Sequence, residues 1–310
     1  MQDNEAQISD LNSTLAKADA QMSFIAKTRR ITSRLPVMSG FIIFVLVFAA
    51  IFADLIAPHS PTSADLRDRR TSPAWYADGT TEFLLGADVQ GRDILSRIIH
   101  GSRVSLILAS ISISLGMIFG TAFGLVSGYF GGLWDEILMR IVDIFLAVPG
   151  IMMALVIILV FGQSFVTIIG VLTMFSWVFF ARQLRAEAHQ LKVLDYVSFA
   201  KVAGASTPRI LVRHIFPGIV STMTVIATLN VGSIILTESI LSYLGAGIPP
   251  PTPAWGAMVS DGRSYLASSW WIAFFPGVAI FLTVLAFNFL GDWLRDTLDP
   301  RLRQVEQGRG

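Results

Sequence analysis

Cysteine is absent from this 310-residue chain. Its absence excludes a disulfide framework, a cysteine-ligated zinc site and a thiol nucleophile. Charge is scarce as well. Asp, Glu, Lys and Arg make up 15% of the residues, against about 25% in ordinary soluble domains. Neither sign dominates: 23 basic and 22 acidic residues leave a net charge of +1, which gives no footprint for nucleic acid. No G-x-x-x-x-G-K-[ST] phosphate loop and no G-x-S-x-G nucleophile elbow occur. The four histidines, His59, His100, His189 and His214, lack metal-ligand spacing.

What is plentiful is apolar. Hydrophobic residues make up 53% of the chain, mean hydropathy is +0.63, and 22 Phe and 7 Trp suit apolar packing and interfacial belts. A membrane-crossing helix needs about 20 mostly apolar residues. Runs free of Asp, Glu, Lys and Arg cover 35–53, 104–134, 144–181, 215–237 and 264–291. The third is too long for one crossing, and Gly162-Gln163-Ser164 divides it in two. The last crossing starts near Trp271. The uncharged stretch 239–260 is no span, because the prolines of 249–253 remove helix donors that lipid does not replace. The expected fold is an all-α polytopic membrane protein with six transmembrane helices.

Six crossings put both termini on one side, and basic residues choose it. Fifteen fall on the N-terminal tail, the 182–213 segment and the C-terminus, against seven on the opposite loops, so the reading is N-in and C-in. Arg97 and Arg103, beside the second crossing, run against the bias. Thr28-Arg29-Arg30 resembles a twin-arginine export signal, but five further spans argue for an anchor that is not cleaved. The expected divisions are a cytoplasmic tail over 1–34, a first transmembrane helix over 35–57, an external segment over 58–103, a five-helix core over 104–293 and a cytoplasmic tail over 294–310. Within the core lie a cytoplasmic loop at 182–213 and an external loop at 238–270.

Ile94, Leu95, Ile98 and Ile99 share a helical face, which predicts an interfacial helix leading into the second crossing. Gly116, Gly120, Gly124 and Gly128 recur every four residues and let a neighbouring helix approach closely. Glu136, Arg140 and Asp143 can share a face near the start of the third crossing. They read as a self-neutralised rim cluster, with a proton relay as the sharper alternative.

The 182–213 loop is far longer than two adjoining spans need. Residues 195–203 read as a short helix ended by Gly204, with Thr207 capping a next helix that opens on Pro208, and Pro217 at the entry to the fifth crossing. With Tyr196 and Phe199 exposed, the segment is either a docking knob for a cytoplasmic partner or a self-packed loop.

Here the chain resembles the permease subunits of ABC importers, and in particular the C-type permease of dipeptide and oligopeptide importers. Their cytoplasmic pattern is Glu-Ala-Ala, three residues, Gly, then a Pro about a dozen residues on. Ala200, Gly204 and Pro217 match, while Ser198 and Phe199 stand where Glu and the first Ala are usual. Three further stretches are similar to the same branch. One is Gly86-Ala87-Asp88-Val89-Gln90-Gly91-Arg92-Asp93, with Ser96-Arg97 and Gly101-Ser102-Arg103-Val104-Ser105-Leu106. The next is Leu241-Ser242-Tyr243-Leu244-Gly245-Ala246-Gly247, with Pro249-Pro250 and Trp255-Gly256. The last is Asn288-Phe289-Leu290-Gly291-Asp292-Trp293-Leu294-Arg295-Asp296-Thr297-Leu298-Asp299-Pro300.

The resemblance implies a non-catalytic subunit of the bacterial inner membrane, importing di- or oligopeptides. It implies a homologous B-type permease, two ATPase subunits or one fused chain, an extracytoplasmic peptide-binding protein, and surrounding lipid. ATP and Mg²⁺ are bound by the ATPase partners, and this chain holds no cofactor. The implied coupling helix comprises Asp195, Tyr196, Ser198, Phe199, Ala200, Gly204, Ala205 and Pro217. Relatives of this architecture also carry nickel or glutathione.

Glu238 is the single acid between 215 and 260; it meets a peptide amine in the path or is hydrated or paired at the interface. Asn230 and Asn288 read as interhelix hydrogen bonds, with Asn230 the alternative path contact. Trp255, Trp270 and Trp271 are expected to anchor the outer segment at headgroup level. Two rival classes remain. A self-sufficient secondary transporter or channel would show paired intramembrane charges, and a membrane enzyme would show a nucleophile–base pair.

Overall fold

The computed structural model of the chain describes residues 35–298. The expected tail over 1–34, with Thr28-Arg29-Arg30, and the chain beyond Leu298, with Arg301, Arg303 and Arg309, lie outside the described residues. Among the described residues the regular structure is helical, with one isolated bridge between Ala87 and Asp93.

The first helix, α1 (Leu35–Ile51), is followed after a break at Phe52 by a single turn, α2 (Ala53–Ile56). The expected unbroken helix over 35–57 is therefore divided, and 17 residues of α1 lie among the described residues. Next comes α3 (Ile94–Phe130), 37 residues long. The Asp93 carboxylate caps it, accepting from the Ser96 N–H at 2.9 Å. The expected helix at 94–99 leads into the second crossing as part of the same helix. No proline interrupts 94–130, so one helix runs through both.

The third crossing is also corrected. It is not one continuous helix but consists of α4 (Gly132–Ala147) and α5 (Gly150–Phe161), bent by 86°. Pro149 has no N–H to continue the ladder and holds Val148 extended, at φ −92° and ψ 131°. The expected turn at 162–164 is present: Ser164 accepts from the Thr167 N–H at 3.0 Å and opens α6 (Phe165–Leu191). That helix continues ten residues into what the sequence suggests is a loop. After it come α7 (Asp195–Val202), α8 (Thr207–Ile210), a π turn over Leu211–Ile215, α9 (Phe216–Tyr243), α10 (Trp255–Gly262) and α11 (Trp271–Leu298). Ser206, not Thr207, stands at the cap of α8, and it makes no side-chain cap bond.

Among the described residues, four helical stretches are long and apolar enough to cross a membrane: α3, α6, the run Thr207–Tyr243 and α11. The bent pair α4–α5 makes a fifth as a broken span. The core lies where α3 runs along α6, with Leu108, Ile168, Leu172, Phe180 and Leu184 buried. The glycine stripe sets this contact. A Cβ on Gly120 would stand 2.5 Å from the Trp177 carbonyl oxygen, one on Gly128 2.6 Å from that of Arg185, and one on Gly124 2.9 Å from that of Ala181. Trp255 and Trp271 are 1% and 3% exposed, so both belong to the core and are not headgroup anchors. Trp255 fills the space beside Gly101 and donates its indole N–H to the Ile98 carbonyl at 3.0 Å.

Gly120→Ala is expected to destabilise the detergent-solubilised protein by about 1–3 kcal/mol, since backbone must shift to admit the methyl. Gly170→Ala, on α6 with open space at its Cβ position, is expected to be neutral or stabilising by up to about 1 kcal/mol. Thermal unfolding of the pair checks this; equal effects would refute it.

Candidate functional site

At the end of the bundle where α6 finishes and α9 begins, a small knob stands on its own core. Ala188, Val197, Ile210 and Ile215 are 0–2% exposed and pack together, tying α7 and α8 to the base of α6. Lys192 donates from Nζ to the Gly128 carbonyl at 2.8 Å, fastening the start of the knob to the end of α3. Lys201 lies 5.3 Å over the Tyr129 ring, and Tyr196 donates its hydroxyl to the His214 carbonyl at 3.3 Å.

The end of α7 is stopped by backbone geometry. Gly204 has φ +78°. Its N–H donates to the Lys201 carbonyl and that of Ala205 to the Ala200 carbonyl, both at 3.0 Å. These two bonds are the Schellman pair, which needs a left-handed residue at Gly204. Asp195, in the first turn, places negative charge at the helix N-terminus, and Lys201 places positive charge at the other end.

On this base the outward face of α7 is apolar. Phe199 is 72% exposed and Val202 89%, while Val197 on the same helix is fully buried. Ser198 is exposed beside Phe199, and Ala200 is half-buried. Pro217 lies across the π turn in the first turn of α9 and is exposed. The structure thus brings the expected knob residues together.

The two expected path residues are elsewhere, along α9. Glu238 is 2% exposed and accepts from the Ser242 hydroxyl at 2.6 Å, so it is not a hydrated interface acid. Asn230 donates to the Ile226 carbonyl of its own helix at 2.9 Å, not across to a neighbour. The rim cluster is also rearranged. Glu136 and Arg140 are 3.9 Å apart, but Asp143 turns to Arg182 of α6 at 3.7 Å.

Sequence reasoning overlooked Asp135. It meets Arg185 of α6 through two contacts of 2.5 Å and also accepts from Ser127. Thr222 of α9 donates to Glu187 of α6 at 3.0 Å. Acids and bases 50 residues apart gave no local spacing to find them by.

With this geometry the comparisons become decisive. Residues 120–304 match the family described as the binding-protein-dependent transport system inner membrane component. Residues 29–73 match the N-terminal transmembrane domain of oligopeptide transport permease C. The chain belongs to this permease family. It is 40% identical over 265 residues to the dipeptide transport system permease DppC of Haemophilus influenzae, covering 85% of this chain and 90% of that one. It is 39% identical over 275 residues to the glutathione transport system permease GsiD of Pectobacterium atrosepticum, covering 89% and 90%. It is 39% identical over 269 residues to the di/tripeptide permease DppC of Pseudomonas aeruginosa, covering 86% and 88%.

Among solved structures, the MetNI methionine ABC transporter in an inward-facing form superposes with a TM-score of 0.54 at 18% identity, over 66% of this chain and 96% of that one. The protein is therefore a multi-pass inner-membrane permease subunit with no catalytic role of its own.

Gly204→Val is expected to strain the left-handed position by about 1–2 kcal/mol and to loosen the end of α7. Limited proteolysis should cut the permease faster between 195 and 206 while the bundle's unfolding midpoint stays put. Gly204→Asn should be milder, since Asn accepts this conformation. Cleavage as slow as in the parent protein would refute the capping role.

Proposed function

We propose that this permease forms one half of a peptide channel and is worked from the cytosol through α7. A homologous B-type permease forms the other half. Two ATPase subunits, or one fused chain, bind ATP and Mg²⁺. An extracytoplasmic binding protein delivers di- or oligopeptides. The chain crosses six times with both termini inside. In this reading α1 and the rest of 35–57 form the first crossing, 58–103 is the external segment, and 104–293 is the core, flanked by the tails 1–34 and 294–310. Within the core, 182–213 is the coupling segment and 238–270 the external loop.

The observation that carries this reading is the exposed apolar tip on a fastened base. A solvent-facing Phe199 and Val202 on a helix this well capped suit insertion into a cleft of another protein. Asp195, Tyr196 and Ser198 ring the tip. Ala200 and Ala205 close the cap bond at Gly204, and Pro217 starts the crossing that the knob would push. Ser198 and Phe199 in place of Glu and Ala exchange a charged contact for an apolar one.

Peptide cargo is supported by the dipeptide and di/tripeptide names of two relatives. Glutathione, the cargo in the third relative's name, is itself a small peptide. Nickel fits less well: no group of three His, Asp or Glu side chains able to hold a metal ion occurs among the described residues.

Phe199→Asp is expected to weaken ATPase docking by about 2 kcal/mol or more, the scale of a buried aromatic anchor. Copurification of the ATPase with the permease should fall sharply while the permease still folds and inserts. Unchanged recovery of the ATPase would overturn the proposed role of the knob.

A further inference from the structure

The pole opposite α7, where α3 and α6 begin and α9 ends, holds a cleft of about 290 Å³ with a mixed polar and apolar lining. Its charged lining is Arg92, Arg97 and Asp261. The Arg97 side chain is 3% exposed, and its Nε donates to no partner among the described residues. Its Nη1 donates to the Pro61 carbonyl at 3.2 Å. The nearest carboxylate, Asp88, lies 3.6 Å from that Nε and is already engaged. It accepts from Arg92 Nε at 2.6 Å and from the backbone N–H groups of Gln90 and Arg92 at 2.8 and 3.0 Å.

A guanidinium carries five donors, and removing it from water with donors unfilled is costly. Asp261, 3.6 Å from Arg92 Nη2, is 43% exposed. Burial pushes its carboxyl above the usual range, against the pull of Arg92 and Arg97. Arg97 Nε therefore stands as an unfilled donor beside the cleft.

The remaining lining mixes polar side chains such as Gln90, Gln163 and Thr252 with apolar Ile248, Pro250 and Pro251, and holds no aromatic ring. Without an aromatic ring such walls offer no stacking partner for a particular side chain. They suit what all peptides share, a terminal carboxylate and the amide beside it. Gln163 donates from Nε2 to the Gly245 carbonyl, which leaves its Oε1 to accept an amide N–H.

We propose that this cleft is a subsite for the C-terminal carboxylate of the cargo peptide, with Arg97 as its principal donor and Gln163 as the acceptor for the adjoining amide. The proposal rests on the peptide-importer reading and adds to it a site on this subunit.

The test uses the whole transporter in proteoliposomes, supplied with saturating binding protein loaded with either trialanine or trialanine amide. The parent complex is expected to import the free acid faster. Arg97→Gln should lower the ratio of acid to amide uptake by roughly tenfold, the scale of one lost charge-assisted hydrogen bond. Asp261→Asn should raise the ratio. Arg97→Lys keeps the charge that Asp88 requires and should give an intermediate ratio, including where Arg97→Gln fails to assemble. A parallel fall for both cargoes with the ratio unchanged overturns the subsite. It would make Arg97 a structural residue or a contact for a carboxylate of the binding protein. If the parent complex imports neither peptide, the importer reading itself fails.

Discussion

The close approach of α3 and α6 is the contact on which the rest of the permease depends. In lipid no hydrophobic effect draws two apolar helices together, so packing distance decides whether they associate. Gly116, Gly120, Gly124 and Gly128 remove the side chains from one face of α3, and the backbone of α6 from Ser176 to His189 fills the space. Both helices reach from one pole of the bundle to the other. α3 starts beside Arg97 and ends at Tyr129 under the knob, while α6 starts beside Gln163 and ends at Leu191 under the same knob. Any motion at one pole is thereby shared by two helices that cannot slide apart without opening a void.

Several charges are paired at those two poles. At the knob end, Asp135 with Arg185 and Asp143 with Arg182 join α4 to α6. At the other end, Asp88 serves Arg92 and Arg97, and Asp54 receives Arg103 at 2.9 Å and His100 at 3.2 Å. The two arginines that run against the distribution of basic residues sit at this pole. Arg97 is held beside Asp88. Arg103 is spent on Asp54 and on the Ala50 carbonyl at 2.7 Å, tying the first helix to the core. A count of basic residues treats every charge as free, whereas Arg103 is paired within its own pole and Arg97 is buried there.

The readable parts of the sequence were those governed by short-range rules. Gly204 as a helix stop, the turn at 162–164 and the glycine face of α3 all follow from backbone sterics within a few residues. The unreadable parts depended on what the chain meets later. Pro149 bends the third crossing by 86°, yet an uncharged run reports composition and not direction. α6 continues to Leu191 because Arg, Gln, Leu, Glu and Ala are good helix formers, although their polarity reads as a loop. Trp255 looks like a headgroup anchor by residue type, but Gly101, more than 150 residues earlier, leaves a hole of its shape. Of the site residues, the exposed tip of α7 was legible from pattern. The Arg97 cleft was not, because its walls come from three separate segments.

Helix length turns these contacts into a mechanical link. At about 1.5 Å per residue, the 37 residues of α3 extend about 55 Å, well beyond the roughly 30 Å of a hydrocarbon core. One rigid element therefore reaches past both faces of a bilayer. The first turns of α3 carry Arg97, and its last turn carries Tyr129, which meets Lys201 of α7. In the proposed cycle, a displacement of the knob by an ATPase arrives at the cleft through this helix without any intervening hinge. The bend at Pro149 and the π turn at Leu211–Ile215 lie on other elements, and those are where compliance is available. In the proposed cycle, α3 and α6 move as one strut and the change of shape is absorbed in α4–α5 and at the entry to α9.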